Sequence, residues 1–232
     1  MTLKGPLKFF VLGFATGIAV FGFLLLLSRE SQYDLYWRFT LGGNDALDTY
    51  LNRNYDINKK FGDETLLDAA VQNDNWYMVE KLLDKGADPN KANSLLITPL
   101  MRAAFSSNPL IVKMLMEHGA TVTNRDTSGA NAVNFAASGN PESIYLLASR
   151  GANVNNADRF GYTPLLTAVS HYEDNKRNYI SILTLLYLGA NINCTNKEGL
   201  TPIMIATQHG DTNLVQLLNR GSAGLQHGNG GF

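Results

Sequence analysis

The side chains best suited to catalysis or metal binding are scattered along this chain. His118 and His209 each precede a glycine, a position typical of a helix C-terminus, where a partly cationic ring interacts favourably with the helix dipole. Neither has an acidic or histidine partner three or four residues away of the kind that forms a metal site. Cys194 is the only cysteine, so it can form neither an internal disulfide nor a cysteine-based zinc site. The sequence therefore predicts no catalytic centre, no metal and no cofactor, and we expect a protein that is not an enzyme.

Composition and charge narrow the class of partner. The chain has 19 Lys and Arg against 20 Asp and Glu, a net charge of −1. Proteins that bind DNA or RNA place many basic residues against phosphates, so we expect no nucleic acid partner. Hydrophobic residues make up 45% of the chain, which is enough for a sizeable core.

The N-terminal region differs from the rest in composition. After a short tail at residues 1–8, residues 9–27 form a run of nineteen residues without a charge. A helix of that length extends about 28 Å, close to the roughly 30 Å hydrocarbon core of a bilayer. A cleaved signal peptide would have a shorter apolar stretch and small residues before the cleavage site, whereas this run ends in four leucines. We expect a single-pass anchor that contacts the lipid bilayer through residues 9–27.

The charges beside this anchor predict its orientation. Lys4 and Lys8 precede it, whereas Arg29 beyond it is accompanied by Glu30. By the positive-inside rule, the N-terminus is expected in the cytoplasm and the rest of the chain is exported, into the periplasm if the source is bacterial. Cytoplasmic placement of the C-terminal part is the alternative.

Two further features of this region allow more than one interpretation. Gly13 and Gly17 have the GxxxG spacing that lets two membrane helices approach closely, which allows self-association, although the spacing is common by chance in apolar segments. Tyr33, Tyr36 and Trp37 follow the anchor closely. They either lie at the lipid headgroups or pack in the first part of the soluble domain.

Beyond the anchor, sequence markers recur at a fixed period. A Gly-Ala pair begins at residues 86, 119, 151 and 189, and Gly221-Ser222 continues the series, with steps of 33, 32, 38 and 32 residues. A Thr-Pro pair begins at 98, 163 and 201, and Thr65-Leu66 and Asn131-Ala132 are degenerate copies. Self-similarity at such a period predicts a repeat architecture.

Each marker has a structural role. The threonine caps a first helix by accepting a hydrogen bond from an otherwise unpaired N–H, and the proline fits the first turn of that helix. Leucine pairs such as Leu82-Leu83 form the apolar stripe of a second helix, which the glycine of the Gly-Ala pair ends. Helices this short do not persist alone, so stability must come from stacking one pair on the next.

These residues resemble the ankyrin repeat family, whose pattern is D-x-x-G-x-T-P-L-x-x-A, then a Leu-rich helix, then G-A-x-x-N. Asn90, Asn155 and Asn193 fill the last position, and Thr123 replaces the asparagine once. With the anchor, the resemblance predicts an all-α fold: an ankyrin-repeat solenoid of helix pairs with β-hairpin-like turns, preceded by a single N-terminal transmembrane helix. The third copy departs from the family because it lacks the Thr-Pro start.

The period also predicts the boundaries. Residues 28–60 are expected to form a juxtamembrane segment and an N-terminal helical cap, and residues 223–232 a flexible Gly-rich tail. The step of 38 residues indicates an insertion around 171–178, between the two helices of the fourth unit. Such a loop either carries binding function or is a tolerated surface insertion. Residues 61–222 are expected to hold five units, at about 61–93, 94–126, 127–158, 159–196 and 197–222.

The resemblance also indicates where a partner would bind, because partners of ankyrin folds meet the hairpin tips and the concave face of the first helices. A surface without a partner would carry polar residues there, yet several of these positions are apolar or aromatic, which is typical of an interaction site. Phe135 and Ile205 occupy the same position in the first helix of their respective units, and they are expected to pack in the core instead. The candidate partner-binding residues are Leu95, Ile97, Arg102, Arg159, Phe160, Tyr162, Tyr172, Lys197 and Leu200.

From these observations we expect a membrane-anchored protein-binding module, a scaffold or adaptor that captures a protein partner. One alternative is a periplasmic immunity protein that neutralises a secreted antibacterial toxin. Another is an accessory factor for an exported enzyme. Analogy between folds supports the narrower roles, and it does not identify a partner.

Overall fold

The computed structural model describes residue 36 and residues 44–53, 55–106, 108–171 and 176–227. These residues form eleven helices and no β-strand, and one isolated antiparallel bridge joins Phe61 and Glu64. The helices are α1 (Asn44–Asn52), α2 (Leu66–Gln72), α3 (Trp76–Asp84), α4 (Pro99–Phe105), α5 (Pro109–Glu117), α6 (Ala132–Ala136), α7 (Pro141–Ser149), α8 (Pro164–Ser170), α9 (Lys176–Tyr187), α10 (Pro202–Gln208) and α11 (Thr212–His227).

The first helix of each unit begins where the sequence predicts. The Thr98 hydroxyl oxygen accepts from the Met101 N–H, and Thr65, Thr163 and Thr201 cap α2, α8 and α10 in the same way. In the third unit Asn131 takes the place of threonine, since its side-chain oxygen accepts from the N–H groups of Val133 and Asn134. An asparagine N-cap is as effective as threonine, so the degenerate copy still starts a helix.

The helices stack in two rows. The first helices α2, α4, α6, α8 and α10 pack on one another in order, and the second helices α3, α5, α7 and α9 form the parallel row. The alanine five residues after each capping residue is fully buried, which allows the first helices to approach closely: Ala70, Ala103, Ala136, Ala168 and Ala206. A leucine of each second helix is buried in the same core: Leu82, Leu115, Leu147, Leu185 and Leu218. The all-α solenoid of helix pairs is thus confirmed.

Asparagine side chains join successive units. The Asn90 amide nitrogen donates to the Gly119 carbonyl at 3.0 Å, and its oxygen accepts from the Thr121 N–H at 2.8 Å. Asn155 makes the same pair of bonds to Gly189 and Asn191, at 3.1 and 2.7 Å. Asn90 and Asn155 therefore each bond two backbone groups of the turn that follows the second helix of the next unit, one carbonyl and one N–H.

The N-terminal end of the described domain is closed by aromatic packing. Tyr36 is buried, and its ring stacks on Phe61 with centroids 4.3 Å apart. Of the two interpretations of this tyrosine, the structure shows the packed one. The apolar run at 9–27, its Gly13 and Gly17, and the aromatics Tyr33 and Trp37 lie outside the described residues. Within the described ranges, no helix is both long enough and apolar enough to cross a bilayer.

Two boundaries differ from those expected. Helix α11 continues to His227, so the helix does not end at Gly221 and the predicted tail at 223–232 overlaps with it. Ala223 and Leu225 favour a helix whereas Gly221 and Gly224 disfavour it, so intrinsic propensity does not decide whether the helix stops at Gly221. In the fourth unit α8 ends at Ser170 and α9 begins at Lys176, so residues 176–178 of the predicted insertion belong to a helix. Residues 172–175 lie outside the described residues.

Candidate functional site

Four similar loops connect the units. We name them loop 1 (93–97), loop 2 (126–130), loop 3 (158–162) and loop 4 (196–200). Each is closed by backbone hydrogen bonds, as between the Asp126 N–H and the Ala130 carbonyl at 2.9 Å. The expected hairpin-like turns are therefore present without flanking strands, because the chain enters a helix two residues later. The fourth residue of each loop has positive φ; it is glycine in loops 2 to 4 but Leu96 in loop 1, at φ 58°.

Backbone hydrogen bonds also link each loop to the next. The Thr127 N–H donates to the Leu95 carbonyl at 2.9 Å, and the Arg159 N–H donates to the Ser128 carbonyl at 2.7 Å. The Lys197 N–H donates to the Phe160 carbonyl at 2.9 Å. Because main-chain atoms form these links, the side chains at the loop tips are held in a fixed row without having to make the contacts themselves.

A groove of about 680 Å³ runs between the loops and the first helices of units one to four. Phe105 of α4, Phe135 of α6 and Tyr162 of loop 3 give it an aromatic lining. Ten of the sixteen lining residues are polar or charged, but most of the exposed lining surface is apolar. A groove that combines apolar surface with placed polar groups is typical of ligand and peptide binding sites. The remaining lining residues are Val71, Gln72, Ile97, Arg102, Ser106, Asp126, Ser128, Ala130, Asn134, Ser138, Asp158, Thr167 and His171.

Arg102 forms an ion-pair network at one end of the groove. Its Nη2 lies 3.3 Å from Glu64 Oε1, and its Nε lies 3.6 Å from Asp68 Oδ1. Asp68 is fully buried, and its other oxygen accepts from the N–H and hydroxyl of Thr65. Burial raises the pKa of Asp68 above its ordinary value, although the Thr65 hydrogen bonds and the Arg102 charge act in the opposite direction. Arg102 thus supplies the nearby positive charge that a buried carboxylate needs.

The candidate residues fall into two groups. Ile97, Tyr162 and Leu200 are half-buried and pack against the core, while Leu95 and Phe160 are exposed at the loop tips. Arg159 and Lys197 are exposed beside them, and the Arg159 guanidinium lies 4.7 Å from the Phe160 ring centre. Ile97, Arg102 and Tyr162 line the groove; the loop-tip residues do not, and Tyr172 lies outside the described residues. The strip predicted from the sequence is therefore divided between the groove and the loop tips.

The residues expected to help the core also differ from each other. Ile205 is buried, whereas Phe135 both packs against the core and lines the groove. The same position of the first helix is therefore buried in the core in the fifth unit, whereas in the third unit its side chain contacts both the core and the groove.

Sequence reasoning missed Phe105, although it is the most exposed aromatic of the groove at 69%. A signal for it exists. In the other four units the position seven residues after the capping residue carries Gln72, Ser138, Ser170 and Gln208, all polar. Because the equivalent residues are polar, this position is expected to be exposed, and a phenylalanine there indicates an exposed apolar side chain.

A second apolar surface lies on the opposite side, on the second helices of units three and four. Tyr145, Ile180, Leu183 and Tyr187 are exposed there around a shallow depression of about 620 Å³. In the first two units the positions equivalent to Tyr145 and Leu183 carry Glu80 and Lys113. We call this surface, defined by those four residues, the back patch.

Three of the four histidines and the cysteine have structural positions. His118, His171 and His209 are the C-caps of α5, α8 and α10, and the first two place ring Nδ1 2.9 Å from a helix carbonyl. Burial raises the pKa of the Cys194 thiol, whose sulfur lies 3.1 Å from the Thr163 hydroxyl. Among the described residues no three His, Cys, Asp or Glu side chains are grouped so that they could hold a metal ion.

Comparisons with known proteins agree with this geometry. The family model described as ankyrin repeats (3 copies) matches residues 39–126 and 100–177, and the model described as ankyrin repeats (many copies) matches residues 176–218. The fold is similar to the crystal structure of an ankyrin repeat domain from Acinetobacter baumannii AYE, with a TM-score of 0.73 and 26% identity, over 83% of this chain and 99% of that one.

One curated relative is an L-asparaginase from Dirofilaria immitis, 32% identical over 93 residues. That match covers 39% of this chain, and it spans only 16% of the length of the relative. The family models, by contrast, together cover more than half of this chain, and the ankyrin fold is typically a non-catalytic scaffold that mediates protein–protein interaction. The chain belongs to the ankyrin repeat family.

Proposed function

We propose that this protein is a membrane-anchored binding module that captures a polypeptide segment of a protein partner in the groove between its loops and first helices. The observation that carries the proposal is the aromatic lining of that groove, above all the largely exposed Phe105. Exposed apolar surface is costly in water, and when it is gathered in a groove with polar edges it marks an interaction site.

The groove also has the anatomy of a protein interface. Phe105, Phe135 and Tyr162 come from three successive units, so a partner that spans them contacts a surface fixed by the stacking of the helices. Aromatic and arginine side chains supply most of the binding energy at protein interfaces. Arg102 at one end of the groove is held by Glu64 and Asp68, so it can contact a partner at a small cost in side-chain entropy.

Photo-crosslinking in living cells tests the groove. A benzophenone analogue of phenylalanine replaces Phe105 in one variant and Tyr187 of the back patch in another, so both probes occupy exposed aromatic positions. We expect a specific adduct from position 105 and not from position 187. We also expect Phe105→Ala to weaken the captured complex by about tenfold or more, about 1.4 kcal/mol. An adduct from position 187 alone would refute the groove as the binding surface.

Membrane anchoring rests on the charge-free run at 9–27 and on the two lysines before it. We propose that this run spans the bilayer with the N-terminus in the cytoplasm and the repeats on the exported side. A topology reporter fused after residue 40 tests the side, and extraction of membranes at alkaline pH tests the anchoring. Release of the full chain into the alkaline supernatant would contradict a spanning anchor.

The identity of the crosslinked protein separates the scaffold from the two narrower roles. A captured toxin, together with death of cells that lack this protein alone, would support an immunity protein. A captured exported enzyme whose activity falls without this protein would support an accessory factor.

A further inference from the structure

Two carboxylates of the groove carry charge that their loops do not need. In loop 2 Asp126 Oδ1 accepts from the N–H groups of Ser128 and Ala130, both at 2.9 Å. In loop 3 Asp158 Oδ1 accepts from the N–H groups of Phe160 and Tyr162, both at 2.8 Å. These bonds hold the turn, and in each case one oxygen makes them.

The flanking loops make the same bonds with a neutral amide. In loop 1 Asn93 Oδ1 accepts from the N–H groups of Leu95 and Ile97, at 3.0 and 2.9 Å. In loop 4 Asn196 Oδ1 accepts from Glu198 and Leu200, at 3.0 and 2.9 Å. An asparagine therefore suffices for the turn. The carboxylates occur only in the two central loops, and both of them line the groove.

Within the described part of the chain, these two charges have no ion-pair partner. No Lys, Arg or His nitrogen there lies within 4.0 Å of either carboxylate, although Arg125 and Arg159 are their neighbours in sequence. Arg159 instead lies over the Phe160 ring. Arg102, the arginine that lines the groove, is paired with Glu64 and Asp68.

The groove thus combines an aromatic lining with two half-buried negative charges one unit apart. A lysine or arginine of a partner matches both features, because its methylene stem packs on apolar surface while its head reaches a carboxylate. Such a charge-assisted hydrogen bond is stronger in a partly enclosed groove than on an open surface.

We infer that the segment captured in the groove carries a lysine or arginine beside an apolar anchor residue, and that Asp126 and Asp158 receive the basic side chain. This inference rests on the proposed function, since it specifies the chemistry of the polypeptide that binds at the same groove. The apolar anchor packs against Phe105 and Phe135, and the basic residue lies toward loops 2 and 3.

A phage-displayed library of random twelve-residue peptides, selected on the detergent-solubilised full chain, tests the inference. The matched variant is Asp126→Asn/Asp158→Asn, which copies the residues of loops 1 and 4 and keeps an oxygen for the turn. We expect peptides selected on the wild type to be enriched in Lys or Arg next to an apolar residue. They should bind the double variant at least tenfold more weakly, and their affinity should fall with added NaCl only for the wild type.

The outcomes separate this inference from the proposed function. Peptides whose binding depends on Phe105 but which are not enriched in Lys or Arg overturn the inference and leave the groove as the binding site. The same holds if peptides selected on the double variant are equally enriched in Lys or Arg. Peptides that bind Phe105→Ala as well as they bind the wild type count against the groove, and selection of no peptide counts against both. A thermal unfolding midpoint of the double variant within a few degrees of the wild type confirms that its fold is intact.

Discussion

The Nε atom of Arg102 lies 3.6 Å from Oδ1 of Asp68, so a side chain of the second unit compensates a carboxylate that is completely buried in the first. That carboxylate also caps α2 through Thr65. In the third unit Asn134 occupies the same position and makes the same capping contact with Asn131. The charge of Asp68 is therefore not required for the helix to start.

This arrangement predicts a pH dependence. Burial raises the folded-state pKa of Asp68 above its unfolded value, so the folded protein binds this proton more tightly. The contribution of this proton to the free energy of unfolding is fully present below the pKa of Asp68 in the unfolded chain, about 4, and is lost as pH rises through its pKa in the folded protein. Urea denaturation of the wild type and of Asp68→Asn between pH 4 and 7 checks it. We expect the wild-type free energy of unfolding to fall relative to that of the variant as pH rises, and a constant difference would contradict the assignment.

Leu96 holds a position that glycine holds in the other three loops. Its φ of 58° lies in the left-handed region, which costs a residue with a side chain about 1–2 kcal/mol. We expect Leu96→Gly to raise the free energy of unfolding by about 0.5–1 kcal/mol, after the larger backbone entropy of glycine is subtracted. The control is Leu95→Gly, which removes an equally exposed leucine side chain at the preceding residue. Leu95 does not have positive φ, so this change should not stabilise the protein. Equal effects of the two changes would show that the backbone conformation is not the cause.

Gly161 and Gly129 have nearly the same positive φ, 84° and 81°, but different surroundings. A Cβ on Gly161 would lie 2.9 Å from the Cα of Asn196, whereas the nearest atom to a Cβ on Gly129 is the Arg159 nitrogen at 3.6 Å. Both alanine variants bear the cost of the left-handed conformation. We expect Gly161→Ala to cost about 1–3 kcal/mol more, because backbone of loop 4 must move. Thermal or urea unfolding measures the difference, and similar losses would mean that the loops separate at little cost.

The asparagine links between units predict a gain at one position. Thr123 stands where Asn90 and Asn155 bridge to the next unit. Asparagine reaches the two backbone groups with two separate atoms, an amide nitrogen that donates and an oxygen that accepts, whereas threonine has a single hydroxyl on a shorter side chain. We expect Thr123→Asn to stabilise by about 1 kcal/mol, through bonds to the Gly151 carbonyl and the Asn153 N–H. Asn155→Ala is the reverse experiment and should cost a similar amount. If Thr123→Asn left stability unchanged while Asn155→Ala was costly, the interface between units two and three would have a different geometry from the one that Asn155 bridges.

The repeat architecture was predictable because each marker acts locally. The threonine cap, the following proline and the glycine after the second helix each determine a helix start or end within a few residues, and their common period determines the stacking. Asn131 shows how far this extends, since a degenerate copy was still recognisable as a capping residue. Local signals do not determine the end of the last helix at His227, because continuing or stopping at Gly221 differs little in intrinsic propensity.

The groove was less predictable than the fold. Ile97, Tyr162 and Leu200 were expected in an exposed strip, yet each packs partly against the core, which depends on contacts between neighbouring units. Phe105 looked like an ordinary apolar residue near a helix end, and only comparison with the equivalent residues of the other units distinguishes it. The surplus charge of Asp126 and Asp158 emerged only when their loops were compared with those of Asn93 and Asn196, bond by bond.

The main-chain links between successive loop tips affect how this surface can diversify. Because Thr127, Arg159 and Lys197 make those links through their amide nitrogens, almost any amino acid except proline can replace them without breaking the row. Substitutions at the tips can therefore accumulate one at a time, and each can alter partner preference without requiring a compensating change elsewhere. A lineage that carries this scaffold can acquire new partners while its helices stay the same.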